Sequence, residues 1–127
     1  PSLDLSYADW RRVVGVLLDG TFLCSQAAGR LMCAAGQGAI VNLASVSMFF
    51  GWPERIPYAT AKAAVGELTR TLAVEWASLG IRVNAVAPGY IETPLVQRVV
   101  AEGYIDGDVA RGLHALGRFG TPDEAAT

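Results

Sequence analysis

The chain has 127 residues, of which 52% are hydrophobic and 17% charged, with a formal net charge of −2. That describes a single modest globular domain, 1–127, with enough apolar material for a buried core, and it excludes a disordered chain. No basic stripe is present, so no nucleic-acid partner is expected. No uncharged apolar run reaches the ~18 residues of a membrane span, so no membrane partner is expected either.

The opening Pro1-Ser2-Leu3-Asp4 is acidic rather than basic, so no signal peptide is expected. Ser6-Tyr7-Ala8-Asp9 reads as a capping box and predicts a helix over 7–35. Its apolar positions include Trp10, Val13, Val14, Leu17, Leu18, Phe22 and Leu31. Gly15, Gly20 and Gly29 weaken it locally but offer close approach to another element. Cys24 and Cys33 fall within this helix, about 13 Å apart in rise, too far for a disulfide. They read as small apolar helix residues, and reduced thiols fit a cytoplasmic protein. After the break at Gly36 to Gly38, the apolar run 39–44 predicts a buried parallel strand. A loop rich in glycine, proline and aromatics follows over 45–57. A second helix is expected over 58–79, closed by Gly80 at the C′ position. A second strand over 82–87 ends at Pro88-Gly89. Thr93-Pro94 is a cap followed by an N1 proline and starts a helix to about 102. A short helix is expected near 106–113, and Thr121-Pro122-Asp123-Glu124 repeats the helix-start pattern. Strands alternating with helices indicate an α/β chain with a parallel sheet.

Chemistry concentrates at Tyr58 and Lys62. Four residues apart on a helix, they lie on one face. A phenol ordinarily titrates near a pKa of about 10. A cation beside it favours the phenolate, so the pair is a proton donor or acceptor with its electrostatic support. Ser45, at the end of the first strand, adds a hydroxyl able to hold a substrate oxygen.

Ser45 with Tyr58-Ala59-Thr60-Ala61-Lys62 resembles the Ser-Tyr-x-x-x-Lys core of the short-chain dehydrogenase/reductase family. Two further stretches strengthen the resemblance. Ile81-Arg82-Val83-Asn84-Ala85-Val86-Ala87-Pro88-Gly89-Tyr90-Ile91-Glu92-Thr93 looks like the family's strand and the loop that covers the nicotinamide. Leu116-Gly117-Arg118-Phe119-Gly120-Thr121-Pro122-Asp123-Glu124 looks like a later family segment. The stretch from Trp10 to Phe22 reads like the family's fourth helix, so the likeness runs along essentially the whole chain.

The resemblance implies hydride transfer between NAD or NADP and a small-molecule ketone or secondary alcohol, with polyol, sugar, steroid and oxoacyl substrates all open. It gives Ser45 the substrate oxygen, Tyr58 the proton, and Lys62 support of the phenolate and contact with the nicotinamide ribose. It gives Pro88, Gly89, Ile91 and Thr93 to the nicotinamide and its phosphates, with Tyr58 and Lys62 also touching the cofactor. Phe49, Phe50, Trp52, Tyr90 and Leu95 are candidates for an apolar substrate wall or for ordinary core, and Ser47 is a neighbour of Ser45 with the wrong spacing to Tyr58. His114, the only histidine, has no partner cluster, and no metal site is expected. The helices over 7–35 and 58–79 resemble those that pair in the family's dimers, so a homodimer or homotetramer is expected.

Two departures stand out. Leu17 occupies the position where the family commonly has an asparagine that holds a water in a proton relay to the lysine. Leucine cannot hold that water, so either a backbone carbonyl suffices or turnover is slowed. The second departure is one of extent. No glycine-rich turn follows a strand, since Gly36-Gln37-Gly38 precedes one, and the family's Asn-Asn-Ala-Gly segment and final strand are missing. The expected fold is therefore part of a Rossmann-like doubly wound parallel sheet flanked by helices, with the N-terminal half absent. The alternative expectation is a non-catalytic fragment or an oligomerising pseudoenzyme that cannot hold dinucleotide by itself.

Overall fold

The computed structural model describes residues 1–126 and divides into two compact units, Pro1–Ala87 and Pro88–Thr127. The first carries the sheet. Helix α1 (Tyr7–Val14) starts as its capping box predicts. The Asp9 N–H donates to Ser6 Oγ at 3.0 Å, and the Ser6 hydroxyl donates back to the Asp9 carboxylate at 2.7 Å. The uninterrupted helix expected over 7–35 is corrected. A π-helical turn, Gly15–Asp19, separates α1 from α2 (Gly20–Ala35). Glycines at both ends of the wide turn lower the steric cost of an i→i+5 pattern, and the Arg11–Asp19 ion pair at 3.1 Å spans it. Helix α2 ends on Gly36, in the left-handed conformation at φ 68°.

Strands β1 (Gly38–Leu43) and β2 (Ile81–Val86) pair in parallel, with Gly38 opposite Ile81 and Leu43 opposite Val86. The parallel sheet expected from the alternation of elements is present. Between the strands runs α3 (Ile56–Trp76), with Pro57 in its first turn, where a missing N–H costs nothing. Helix α3 gives way to a 3₁₀ turn, Ala77–Leu79, and stops at Gly80 with φ 75°.

Helix α3 buries Ala61, Lys62, Val65, Gly66, Thr69 and Leu72, one stripe at helical spacing. Leu72 packs with Ile81 and Val83 as the core, joined by Met32, Ile40, Leu68, Ala73 and Trp76. Burying a side chain the size of Leu72 contributes about 2 kcal/mol. Of the glycines in the first long helical region, Gly29 is the one that sets an approach. A Cβ there would lie 2.6 Å from Trp76 Cη2, so only glycine lets α2 close on α3 at this point. Buried polar groups are paired as burial demands. The Asn42 amide donates to Thr69 Oγ1 at 3.0 Å and accepts from Ser25 at 3.5 Å, which ties β1 to both helices.

The strand expected to be buried over 39–44 has one covered face only. Asn42 is buried, but Val41 and Leu43 are 66% and 60% exposed. The run is apolar apart from Asn42, so its residue types do not mark the alternation that separates the two faces. Cys24 and Cys33 are both free and lie exposed on α2.

Among the described residues, the second unit holds three short helices. Thr93 caps α4 (Pro94–Ala101), accepting the Val96 N–H at 3.3 Å. Asp106 caps α5 (Gly107–Gly112), accepting from Asp108 and Val109. Thr121 and Glu124 exchange hydrogen bonds at the start of α6 (Pro122–Ala126). Among the described residues of this unit, only Gly107 and Ala110 are buried. Among the described residues, no helix is long and apolar enough to cross a membrane.

Candidate active site

Lys62 is the best-defined member of the predicted constellation. Its side chain is 8% exposed, inside the alanine-rich stripe of α3, and its ammonium donates to the Leu43 carbonyl at 2.5 Å. Burial holds the ammonium below the ordinary lysine value, because desolvation penalises its charge. An ammonium has three N–H donors and Leu43 takes one, so donors remain for a second partner.

Tyr58 stands one turn earlier on α3, 39% exposed, and its hydroxyl makes no hydrogen bond among the described residues. Helical spacing places it over the same face as Lys62. The phenol is accessible while the cation is buried, a division that suits proton exchange with a ligand.

Ser45 follows the carboxyl end of β1. Its Oγ accepts from the Ser47 N–H at 3.2 Å and from the Ser47 hydroxyl at 3.0 Å. Two accepted bonds leave the Ser45 hydroxyl proton as a donor. Ser47 is therefore a support of Ser45, and both side chains are buried. The 3₁₀ turn that carries them, Val46–Met48, is seated on α3 by Met48, which fills the space beside Gly66. Lys62 bonds to the last residue of β1, and Met48 packs one turn farther along α3. Both contacts bring the Ser45 turn and the Tyr58 helix to the carboxyl end of β1, the end at which open α/β sheets bind ligands. Spacing alone does not reveal Met48, Gly66 or the Leu43 carbonyl as parts of this arrangement.

Leu17 lies in the π-helical turn, and its carbonyl accepts the Thr21 hydroxyl at 2.7 Å. Of the aromatic candidates in this unit, Trp52 is half-buried against Phe50, ring centroids 5.5 Å apart, and Phe49 is 73% exposed and so not core.

In the second unit the segment Tyr90–Glu92 is laced to Gly120. Gly120 N–H donates to the Tyr90 carbonyl at 3.0 Å, and Glu92 N–H donates to the Gly120 carbonyl at 2.7 Å. That parallel pattern turns the backbone N–H and C=O of Ile91 toward the opposite edge. Thr93 Oγ1 is engaged as the α4 cap, Leu95 is exposed on α4, and Pro88 is half-buried. Beside Gly89 sits the imidazole of His114, and His114 Nε2 accepts the Tyr90 N–H at 3.1 Å. A lone histidine offers no motif to a reader of sequence. Among the described residues no cluster of His, Cys, Asp or Glu is placed to hold a metal.

Fold and site together define a class. Residues 1–127 match the family described as Enoyl-(Acyl carrier protein) reductase, and the chain belongs to the short-chain dehydrogenase/reductase family of oxidoreductases with its Rossmann-type fold. It is 47% identical to a galactitol 2-dehydrogenase of Rhizobium johnstonii, across 100% of this chain and 50% of that protein. It is 46% identical to a cis-4-hydroxycyclohexanecarboxylate dehydrogenase of Sinomonas cyclohexanicum, across 99% and 49%. A crystal structure of a gluconate 5-dehydrogenase from Burkholderia cenocepacia J2315, in complex with NADP and tartrate, superposes with a TM-score of 0.90. That protein is 38% identical, and the match covers 98% of this chain and 49% of that one. The chain spans about half the length of the curated relatives it matches.

Proposed function

We propose that this chain is the catalytic half of an NAD(P)-dependent oxidoreductase that interconverts a secondary alcohol and a ketone. The observation that carries the reading is the buried Lys62 ammonium, anchored on the Leu43 carbonyl one helical turn from the accessible Tyr58 hydroxyl. The relatives named above support the substrate class, since galactitol, gluconate and cis-4-hydroxycyclohexanecarboxylate each offer a secondary hydroxyl.

Tyr58 gives its proton to the substrate oxygen when a ketone is reduced and takes it back when an alcohol is oxidised. Lys62 stabilises the phenolate left behind. Its remaining N–H donors suit the hydroxyls of a ribose, which is the observation by which these residues fit a nicotinamide dinucleotide. Ser45, held by Ser47, donates its hydroxyl proton to the substrate oxygen and orients it. In the second unit the outward N–H and C=O of Ile91 match a carboxamide, and Pro88, Gly89 and Thr93 complete the segment that holds it. The dinucleotide, NAD or NADP, supplies or accepts the hydride. Trp52, Tyr90 and Leu95 would line the apolar side of the substrate, and Ser47 its polar side.

The two units belong, in this reading, to one incomplete dinucleotide-binding domain. The exposed Leu23, Leu31 and Val74 on α2 and α3 support a homodimer or homotetramer through those helices, and a cytoplasmic location accords with the two free thiols.

The test is hydride transfer by the full-length polypeptide that carries this chain, followed by nicotinamide absorbance with polyols and cyclic secondary alcohols. Turnover is expected with the native chain and none with Tyr58→Phe. Native-like turnover by that variant would remove Tyr58 from the reaction.

A further inference from the structure

The His114 side chain accepts a hydrogen bond from the backbone of the segment proposed to face the dinucleotide. The register of that segment shows what it replaces. The Ile91–Gly120 bridge uses the Tyr90 carbonyl and the Glu92 N–H. Continued by one step, a parallel ladder would give the Tyr90 N–H the carbonyl of Arg118. His114 Nε2 accepts it instead, at 3.1 Å. With Nε2 accepting, the proton of the neutral ring sits on Nδ1. Tyr90–Glu92 is thereby pinned by three hydrogen bonds on one side, and Ile91 is left to present its own amide on the other.

The imidazole is held by its surroundings. Phe119 meets it edge-on at 6.1 Å, and the Tyr90 ring lies 6.1 Å from it. Arg111 sits over the Phe119 ring at 5.5 Å. On its remaining side is Gly89. A Cβ on Gly89 would lie 2.5 Å from His114 Cε1, closer than real Cβ atoms come, and 3.3 Å from both ring nitrogens. Gly89 keeps an ordinary backbone conformation, since it is not among the glycines with positive φ. Its lack of a side chain therefore answers to space, and the space is filled by the histidine.

We propose that His114 is a positioning residue that sets the Tyr90–Glu92 backbone for the dinucleotide, and that Gly89 is glycine in order to admit its ring. The proposal rests on the reading of Pro88–Thr93 as a dinucleotide segment. Loss of the acceptor frees the Tyr90 N–H and lets the segment shift, which weakens cofactor binding without touching the proton chemistry of Tyr58.

The experiment compares His114→Phe, which keeps a ring but no acceptor, with His114→Gln, whose amide oxygen reaches to the place of Nε2. Both are made in the full-length polypeptide. NADPH and NADH affinity, the split between KM and kcat, and hydrogen exchange at the Tyr90 amide are measured for each. His114→Phe is expected to weaken the preferred dinucleotide about tenfold, the factor one net hydrogen bond supplies, with kcat within about twofold. Tyr90 exchange should speed up in step. His114→Gln should recover most of both. Gly89→Ala should speed Tyr90 exchange as His114→Phe does, and in a His114→Ala background it should speed that exchange no further, because the clash is gone. Equal losses from Phe and Gln, unchanged Tyr90 exchange in the Phe variant, or an additive Gly89→Ala effect would each overturn the proposal. A native protein that binds neither dinucleotide would instead overturn the proposed function, and Tyr90 exchange would still decide whether His114 holds the segment.

Discussion

The two units are stabilised by different means. In the first, Ala61, Val65, Leu72, Ile81 and Val83 are buried, and Tyr58, Lys62 and Ser45 are fixed by elements packed on that core. In the second, the described residues hardly form a core at all. Its order comes from three helix caps, the Arg118–Glu124 ion pair at 2.7 Å, the Gly120 bridge and the His114 acceptor. Packed elements move only by disturbing many contacts together, whereas capped turns rearrange at the cost of one or two hydrogen bonds. The proposed proton chemistry therefore sits on the rigid unit, and the proposed dinucleotide segment on the one that adjusts most easily.

The sharpest way to break this comparison is Tyr58→Phe. Turnover should fall at least ~10²–10⁴-fold, the usual worth of a positioned acid–base group. Thermal stability should change by less than ~0.5 kcal/mol, as for an exposed site. A large loss of stability would show that Tyr58 belongs to the core. Gly66→Val comes next. A branched side chain would evict Met48 and is expected to destabilise by ~1–3 kcal/mol in urea titration, with turnover reduced as the Ser45 turn loosens. In the second unit, Thr93→Ala should cost about 1 kcal/mol of local stability through loss of the α4 cap. It should do so with little change in the melting of the first unit, and an equal loss there would contradict the different means by which the two are stabilised.

Two pH effects distinguish the units further. Lys62 binds its proton more weakly folded than unfolded, so the unfolded chain holds more protons in the window below the ordinary lysine value of about 10.4. Stability should rise with pH through that window and level off above it, and Lys62→Met should flatten the rise when chemical denaturation is followed against pH. Glu124 behaves oppositely. The hydrogen bond from Arg118, aided by the Thr121 N–H, lowers its carboxyl to about 2. Its contribution is complete above the ordinary glutamate value of about 4.3 and is lost as pH falls toward 2. Because the pair is exposed, the effect should be small, visible as acid fraying of α6 by NMR and absent in Glu124→Gln.

Much of this was legible from residue order. The caps at Ser6, Thr93 and Thr121, the stop at Gly80, both strands to within a residue, and the Tyr58–Lys62 pairing on one helix face follow from local stereochemistry, which neighbouring residues enforce by themselves. The π-helical turn was not legible, because a widened turn carries the same residue types as an ordinary one. Nor was the one-sided burial of β1, where Val41 and Leu43 look no different from Ile40 in an apolar run.

What the sequence determined by itself is the order of α and β elements and the family to which Ser45, Tyr58 and Lys62 belong, since both rest on spacing along the chain. Only the tertiary structure decided what holds those residues: the Leu43 carbonyl for Lys62, Ser47 and Met48 for Ser45, and His114 for Tyr90. Apart from the neighbouring Ser47, these contacts join residues far apart in sequence or use backbone atoms that every residue shares, so no pattern of side chains announces them before the chain has folded.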